Sequence, residues 1–193
     1  ASVLFSAGAG ALFVWTDRLG AGAPLQRAAM IGAALLIAFR LVANLLDGLI
    51  AVECGKRTPL GGVFNELPDR LSDVLVLVGF GYAAGGMPAT GYLAAIVAVL
   101  IAYVRELGHG LGARHHFTGP MAKQQRMTVV IAASCWLGCT PATWRPESSG
   151  YALGVPAVAC VIIIAMGLIT LARRLGRIAG DLRAADGSPG GVP

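Results

Sequence analysis

Six long apolar runs divide this chain, and short polar breaks rich in glycine or proline separate them. The runs fall at residues 1–16, 28–46, 71–87, 89–104, 127–144 and 151–172. Each approaches the roughly 20 residues that an α-helix needs to cross the hydrocarbon of a bilayer. The breaks alternate in kind. DRLGAGAPLQR at 17–27, GGMP at 85–88 and TPATWRPESSG at 140–150 are poor in charge and read as outer turns. ECGKRTPLGGV at 53–63 and the stretch from Arg105 to Arg126 are polar and basic, and read as links on the opposite side. Trp136, Trp144 and Tyr151 suit an interfacial belt at the outer side. The pattern predicts an all-α membrane protein with six transmembrane helices over residues 1–177, then a flexible Gly- and Pro-rich tail at 178–193. The sequence opens at Ala1 inside an apolar run and without an initiator Met, so a preceding N-terminal piece is expected.

Composition narrows the class. With 56% hydrophobic residues, 13% charged ones and a mean hydropathy of +0.71, the chain has too little polar surface to stay wet outside a membrane. The formal charge of +5 is unevenly spread. Lys56, Arg57, Arg70, Arg105, Arg114, Lys123, Arg126, Arg173, Arg174, Arg177 and Arg183 sit at one set of helix ends, and only Arg18, Arg27 and Arg145 at the other. The positive-inside rule makes the first set cytoplasmic, as in a bacterial inner membrane. Short basic loops interleaved with acids do not form a nucleic-acid footprint, so no nucleic-acid partner is expected. Cys54, Cys135, Cys139 and Cys160 lack CxxC spacing and read as small buried residues. His109, His115 and His116 read as solvated loop residues.

The acids are more informative. Charged groups beside a bilayer are costly, so carboxylates kept at helix ends are usually used. Asn44, Asp47 and Ala51 share one face of the second helix by i, i+3, i+7 spacing. Asn65, Asp69 and Asp73 share one face of the third by i, i+4, i+8. Two oxygen-rich faces therefore begin at the same membrane side, and such oxygens suit a hard divalent cation. Arg40, one turn before Asn44, lies inside the second span; it reads either as an arginine paired to survive burial or as a source of positive charge for this site.

These residues resemble the signature of the CDP-alcohol phosphotransferases, D-x2-D-G-x2-A-R-x8-G-x3-D-x3-D. The chain carries it without a gap as Asn44, Asp47, Gly48, Ala51, Val52, Gly61, Asn65 and Asp69, keeping five of the eight fixed residues. Asn replaces Asp at 44 and 65, and Val replaces Arg at 52. Arg105 and Glu106, then GPMAKQQRM at 119–127, also look like stretches found in members of this family. The resemblance implies transfer of a phosphoalcohol or phosphatidyl group from a CDP-alcohol, often CDP-diacylglycerol, to a second alcohol with release of CMP. It implies Mg²⁺ or Mn²⁺ on Asp47, Asp69, Asn44 and Asn65, with Asp73 able to restore charge, and Asp69 as the catalytic base. It further implies that Gly48, Ala51 and Gly61 make room for the CDP donor, that Arg105, Lys123 and Arg126 rim the acceptor, and that the protein is a homodimer. The two amides leave open a second reading, a weakened homologue serving as a binding or partner subunit. A small transporter is a third, which acids gathered at one face rather than in mid-bilayer argue against.

Overall fold

The computed structural model describes residues 2–20, 22–53, 59–114, 119–144 and 153–186, and within them side chains at all positions except 48–53, 59–65, 142, 185 and 186. Among the described residues six α-helices make up the bundle: α1 (Ser2–Thr16), α2 (Pro24–Glu53), α3 (Pro59–Gly81), α4 (Pro88–Gly110), α5 (Lys123–Cys139) and α6 (Val155–Asp186). Proline opens α2, α3 and α4, where its fixed φ suits a helix start and its missing N–H is not needed. α1 packs on α2 and α3, α2 on α5, α3 on α4, and α6 on α4 and α5.

Among the described residues three helices, α2, α4 and α6, are long and apolar enough to span a bilayer by length and composition, and α1 is a shorter apolar helix. α3 carries four charged residues, Glu66, Asp69, Arg70 and Asp73, in its middle turns and α5 is only 17 residues long, which is why these two fall below that measure. A coat of large exposed apolar side chains, among them Leu35, Phe39, Val42, Leu71, Ile96, Tyr103 and Ile162, faces outward. A surface so apolar belongs against lipid, and the protein is an integral membrane protein.

The half of the bundle nearest the α1–α2 and α3–α4 turns, called outer here as a label for that end, is held by close backbone approach. A Cβ on Gly79 would lie 2.5 Å from Gly10 Cα, and one on Gly81 would lie 2.7 Å from Gly91 Cα. Phe13 and Phe80 pack edge to face at 5.0 Å beside these contacts, within a core that includes Met30, Ile37, Leu77, Met127 and Ile163. Between apolar helices in lipid, such small-residue contacts supply the packing that a hydrophobic drive cannot. Arg27 closes the outer end of α5, donating from Nε to the Gly138 carbonyl at 2.9 Å and from Nη2 to that of Cys139 at 3.1 Å.

Most helix ends lie beyond the apolar runs read in the sequence, with α3 starting at Pro59 inside the expected 53–63 link, and three ends have a clear cause. α3 stops at Gly81, because the chain turns at Gly85, where φ is +75°, and the Gly86 amide bonds the Ala83 carbonyl. α5 stops at Cys139, two residues before Pro141. α6 continues through the expected tail to Asp186: Ile178 packs with Val104 and Ala113, and the Asp181 carboxylate accepts the Arg114 amide at 3.0 Å. Cys160 is buried as expected, whereas Cys139 is exposed. Cys54, His115 and His116 lie outside the described residues.

Candidate active site

Asp69 reaches the inner cleft because Pro68 and the i, i+4 spacing of α3 place it on the face turned to α2 and α5. Three side chains from two helices converge on it. Asn44 of α2 donates its amide Nδ2 to Asp69 Oδ1 at 2.8 Å. Lys123, at the first position of α5, donates its ammonium to Asp69 Oδ2. Arg40 donates to the Asp69 backbone carbonyl at 3.2 Å and stands 3.9 Å from its carboxylate. The faces of α2 and α3 therefore meet as the spacing predicts.

One turn deeper, Asp73 is enclosed. Its Oδ1 accepts from Arg40 Nη2 at 2.6 Å and its Oδ2 from Arg126 Nη2 at 2.8 Å, with Arg70 at 4.0 Å. The sequence places Asp73 among the metal ligands; here both of its oxygens are held by guanidinium groups, and it anchors two arginines from two other helices. Arg126 also donates to the Met121 carbonyl at 3.0 Å, and Arg40 Nη1 approaches the Met127 sulfur at 3.2 Å.

Toward the inner surface the cleft widens into a cavity of about 320 Å³. Glu66, Asp69, Arg70, Arg105, Lys123, Arg126 and Arg174 are its charged lining. Arg70 and Arg105 both donate to Glu66 Oε1 at 2.8 Å, and Arg105 Nε donates to Glu106 at 2.8 Å. Arg105, Lys123 and Arg126 are thus brought together as the sequence expects. Arg70 and Arg174 join them, and the sequence had given both to membrane topology alone. Arg174 is buried, donating to the Ile101 carbonyl at 3.1 Å. Its signal was legible in part: Ile163, Thr170, Arg174 and Ile178 continue one buried face of α6 at helical spacing.

Asp47 is exposed, three residues beyond Asn44 on α2, and forms no ion pair among the described residues. Gly48, Ala51 and Gly61 lie on the backbone of α2 and α3, but their surroundings, and the side chain of Asn65, lie outside the described residues. The donor set sets a limit on a metal. Among the described residues no three Asp, Glu, His or Cys side chains converge. Mg²⁺ and Mn²⁺ are nonetheless commonly held by one or two carboxylates together with substrate phosphates. Asp69 is the carboxylate the structure offers to such an ion, and the Lys123 ammonium on it marks a carboxylate that already draws a cation.

No family model matches the sequence. Relatives do. The chain is 29% identical over 146 residues to an archaetidylinositol phosphate synthase of Methanothermobacter thermautotrophicus, covering 75% of this chain and 67% of that protein. It is 26% identical over 137 residues to a phosphatidylinositol phosphate synthase of Mycolicibacterium smegmatis, covering 68% of this chain and 61% of that protein. The fold matches crystal structures of a Mycobacterium tuberculosis phosphatidylinositol phosphate synthase at a TM-score of 0.69 and 19% identity, over 100% of this chain. Those structures cover that enzyme in complex with manganese and citrate, where 83% of its chain is matched, and with CDP-DAG bound, where 87% is matched. Signature spacing, bundle and relatives agree in likening the chain to the CDP-alcohol phosphotransferases.

Proposed function

We propose that the protein moves the phosphatidyl group of CDP-diacylglycerol, or the phosphoalcohol of another CDP-alcohol, onto an alcohol that itself carries a phosphate, in phospholipid synthesis. The observation that carries this reading is the cavity beside Asp69. Its charged lining holds five cations, Arg70, Arg105, Lys123, Arg126 and Arg174, against the two acids Glu66 and Asp69. Arginine forks and a lysine point charge are the groups that bind phosphate oxygens. The relatives named for inositol phosphate lipids make a polyol phosphate the acceptor class of choice.

In the reaction the acceptor hydroxyl oxygen attacks the β-phosphorus of the donor. The bond from that phosphorus to the bridging oxygen breaks, and CMP leaves with the electron pair. Asp69 takes the hydroxyl proton, which requires the Lys123 ammonium to move from its carboxylate toward the acceptor phosphate. Lys123 is partly exposed and long enough to make that move. Asp47, Asp69, Asn44 and Asn65 would hold one divalent ion, which when bound neutralises pyrophosphate oxygens. By the same resemblance, Gly48, Ala51 and Gly61 would make room for the nucleoside. All six helices cross a bacterial inner membrane with the basic ends in the cytoplasm, the bundle is one catalytic unit, and two copies pair as a homodimer.

The test is CMP release by the purified protein from CDP-diacylglycerol with Mg²⁺ or Mn²⁺, against inositol phosphate, glycerol phosphate, inositol and serine. Release is expected with the phosphorylated alcohols, and Asp69→Asn should lower it by about a thousandfold or more, since base and ligand go together. A protein that releases no CMP with any donor and acceptor would instead support the partner-subunit reading, which the amides at 44 and 65 favour.

A further inference from the structure

α5 begins with what a helix start ordinarily avoids. Its N-cap is Ala122, whose methyl cannot accept the first free N–H groups, and Lys123 at the first position puts a cation at the positive end of the helix. What holds this start is Met121, gripped on both sides. Thr170 Oγ1 of α6, 0% exposed, accepts the Met121 amide at 3.1 Å, and the Met121 carbonyl accepts from Arg126 Nη1 at 3.0 Å. The hydroxyl proton of Thr170 goes to the Met166 carbonyl at 2.9 Å, one turn back, which leaves its oxygen to face Met121. The chain before α5 also lies directly on Thr170. At Gly119 φ is +148°, and a Cβ there would stand 2.9 Å from Thr170 Oγ1, so only glycine lets the backbone come this close.

We infer that Thr170 is the positioning residue that sets the hold of Lys123 on an acceptor phosphate. This rests on the transferase reading above. Thr170 has no exposed surface and does not line the cavity, so it acts through Met121 and the first turn of α5. That turn supplies Lys123, Gln124 and Arg126 to the cavity, and Arg174, one turn beyond Thr170 on the same face of α6, lines it too. Lys123 has to leave Asp69 for the phosphate while its own backbone stays in place. An ammonium on a flexible four-carbon stem has no fork to align it, so its reach depends on where the stem begins. Removing the Thr170 oxygen frees the Met121 amide and lets the start of α5 shift, which weakens the hold on the phosphate. The donor residues expected from the resemblance lie on α2 and α3, which this contact does not include.

The test compares Thr170→Val, which keeps the shape and removes the oxygen, with Thr170→Ser, which keeps the oxygen. In the full chain in detergent, CMP release from CDP-diacylglycerol is measured against inositol phosphate, and binding of radiolabelled inositol phosphate is measured at equilibrium. Thr170→Val should raise both KM and Kd for inositol phosphate about tenfold, while kcat and the donor KM stay within about twofold; Thr170→Ser should restore the unaltered values. In Lys123→Met, which itself binds inositol phosphate weakly, Thr170→Val should add less than about twofold, because its effect runs through Lys123. Should Thr170→Val fail to fold, Thr170→Cys, whose sulfur is a weak acceptor, decides by the same split. A folded variant with unchanged Kd, a loss confined to kcat, a defect that Thr170→Ser does not rescue, or a full effect in Lys123→Met would each overturn the inference and leave the transferase reading standing while CMP release persists. If the unaltered protein binds inositol phosphate but releases no CMP, the transferase reading falls and the binding measurements decide for Thr170. If it does neither, both fall.

Discussion

Two arginines of the same helix do opposite work. Arg27, near the outer start of α2, spends its guanidinium on two carbonyls at the end of α5, where a helix leaves acceptors unmatched. Arg40, midway along the helix on the side of the inner cleft, is fully buried and spends its guanidinium on Asp73 and the backbone of Asp69. The outer contact joins two helices with neutral partners. The inner one is part of a charged network that reaches the acceptor cavity through Asp69, Lys123 and Arg126. The outer half of the bundle can thus be a rigid frame, held by glycine contacts and one cap, while the inner half carries charge that a frame alone would not need.

The sharpest way to break this contrast is at Asp73. Asp73→Asn leaves Arg40 and Arg126 buried around a neutral amide, and losing one member of a buried ionic group costs about 3–5 kcal/mol. The melting temperature in detergent should drop by on the order of 10 °C. Combining Asp73→Asn with Arg40→Met should recover part of that loss, since the two sites share one network. A single variant as stable as the unaltered protein would show that the inner charges are not coupled as the distances indicate.

A middle-sized effect lies in the frame. Gly79→Ala puts a methyl 2.5 Å from Gly10 Cα, a contact that only backbone movement can relieve. The expected cost is about 1–3 kcal/mol, read as lowered thermal stability. Mn²⁺ affinity should be retained, because Asp69 and its partners sit more than two turns away along α3. If Gly79→Ala instead weakened Mn²⁺ while leaving stability alone, the division into frame and site would fail.

The sequence carried much of this. Six apolar runs give the six helices, and helical spacing puts Asn44 and Asp69 on the faces by which α2 and α3 meet. Helical spacing fixes which residues share a face but not which face of another helix they meet. Asp73 therefore looked like one more ligand on an acidic stripe, since its neighbours Arg40 and Arg126 come from positions 33 and 53 residues away. Arg174 was hidden for the same reason, one of several basic residues at the end of α6. The helical stretch from 178 to 186 was hidden by composition: the contacts that hold Ile178 and Asp181 come from α4 and the residues after it.

The smallest expected effect is the one that tests the frame side of the comparison on its own. Arg27→Met keeps the aliphatic stem and removes the donors to the Gly138 and Cys139 carbonyls. Those carbonyls end α5 near the outer interface, where water and headgroups can take over part of the bonding. The loss should therefore be that of a helix cap, about 1 kcal/mol, seen as a fall of a few degrees in melting temperature. CMP release and Mn²⁺ affinity should be unchanged, because no charge moves at the inner end and Arg27 contacts neither Asp69 nor the cavity lining. A fall in CMP release as large as its fall in stability would mean that α5, and with it Lys123 and Arg126, is set by its outer end, and the two arginines would then belong to one mechanism.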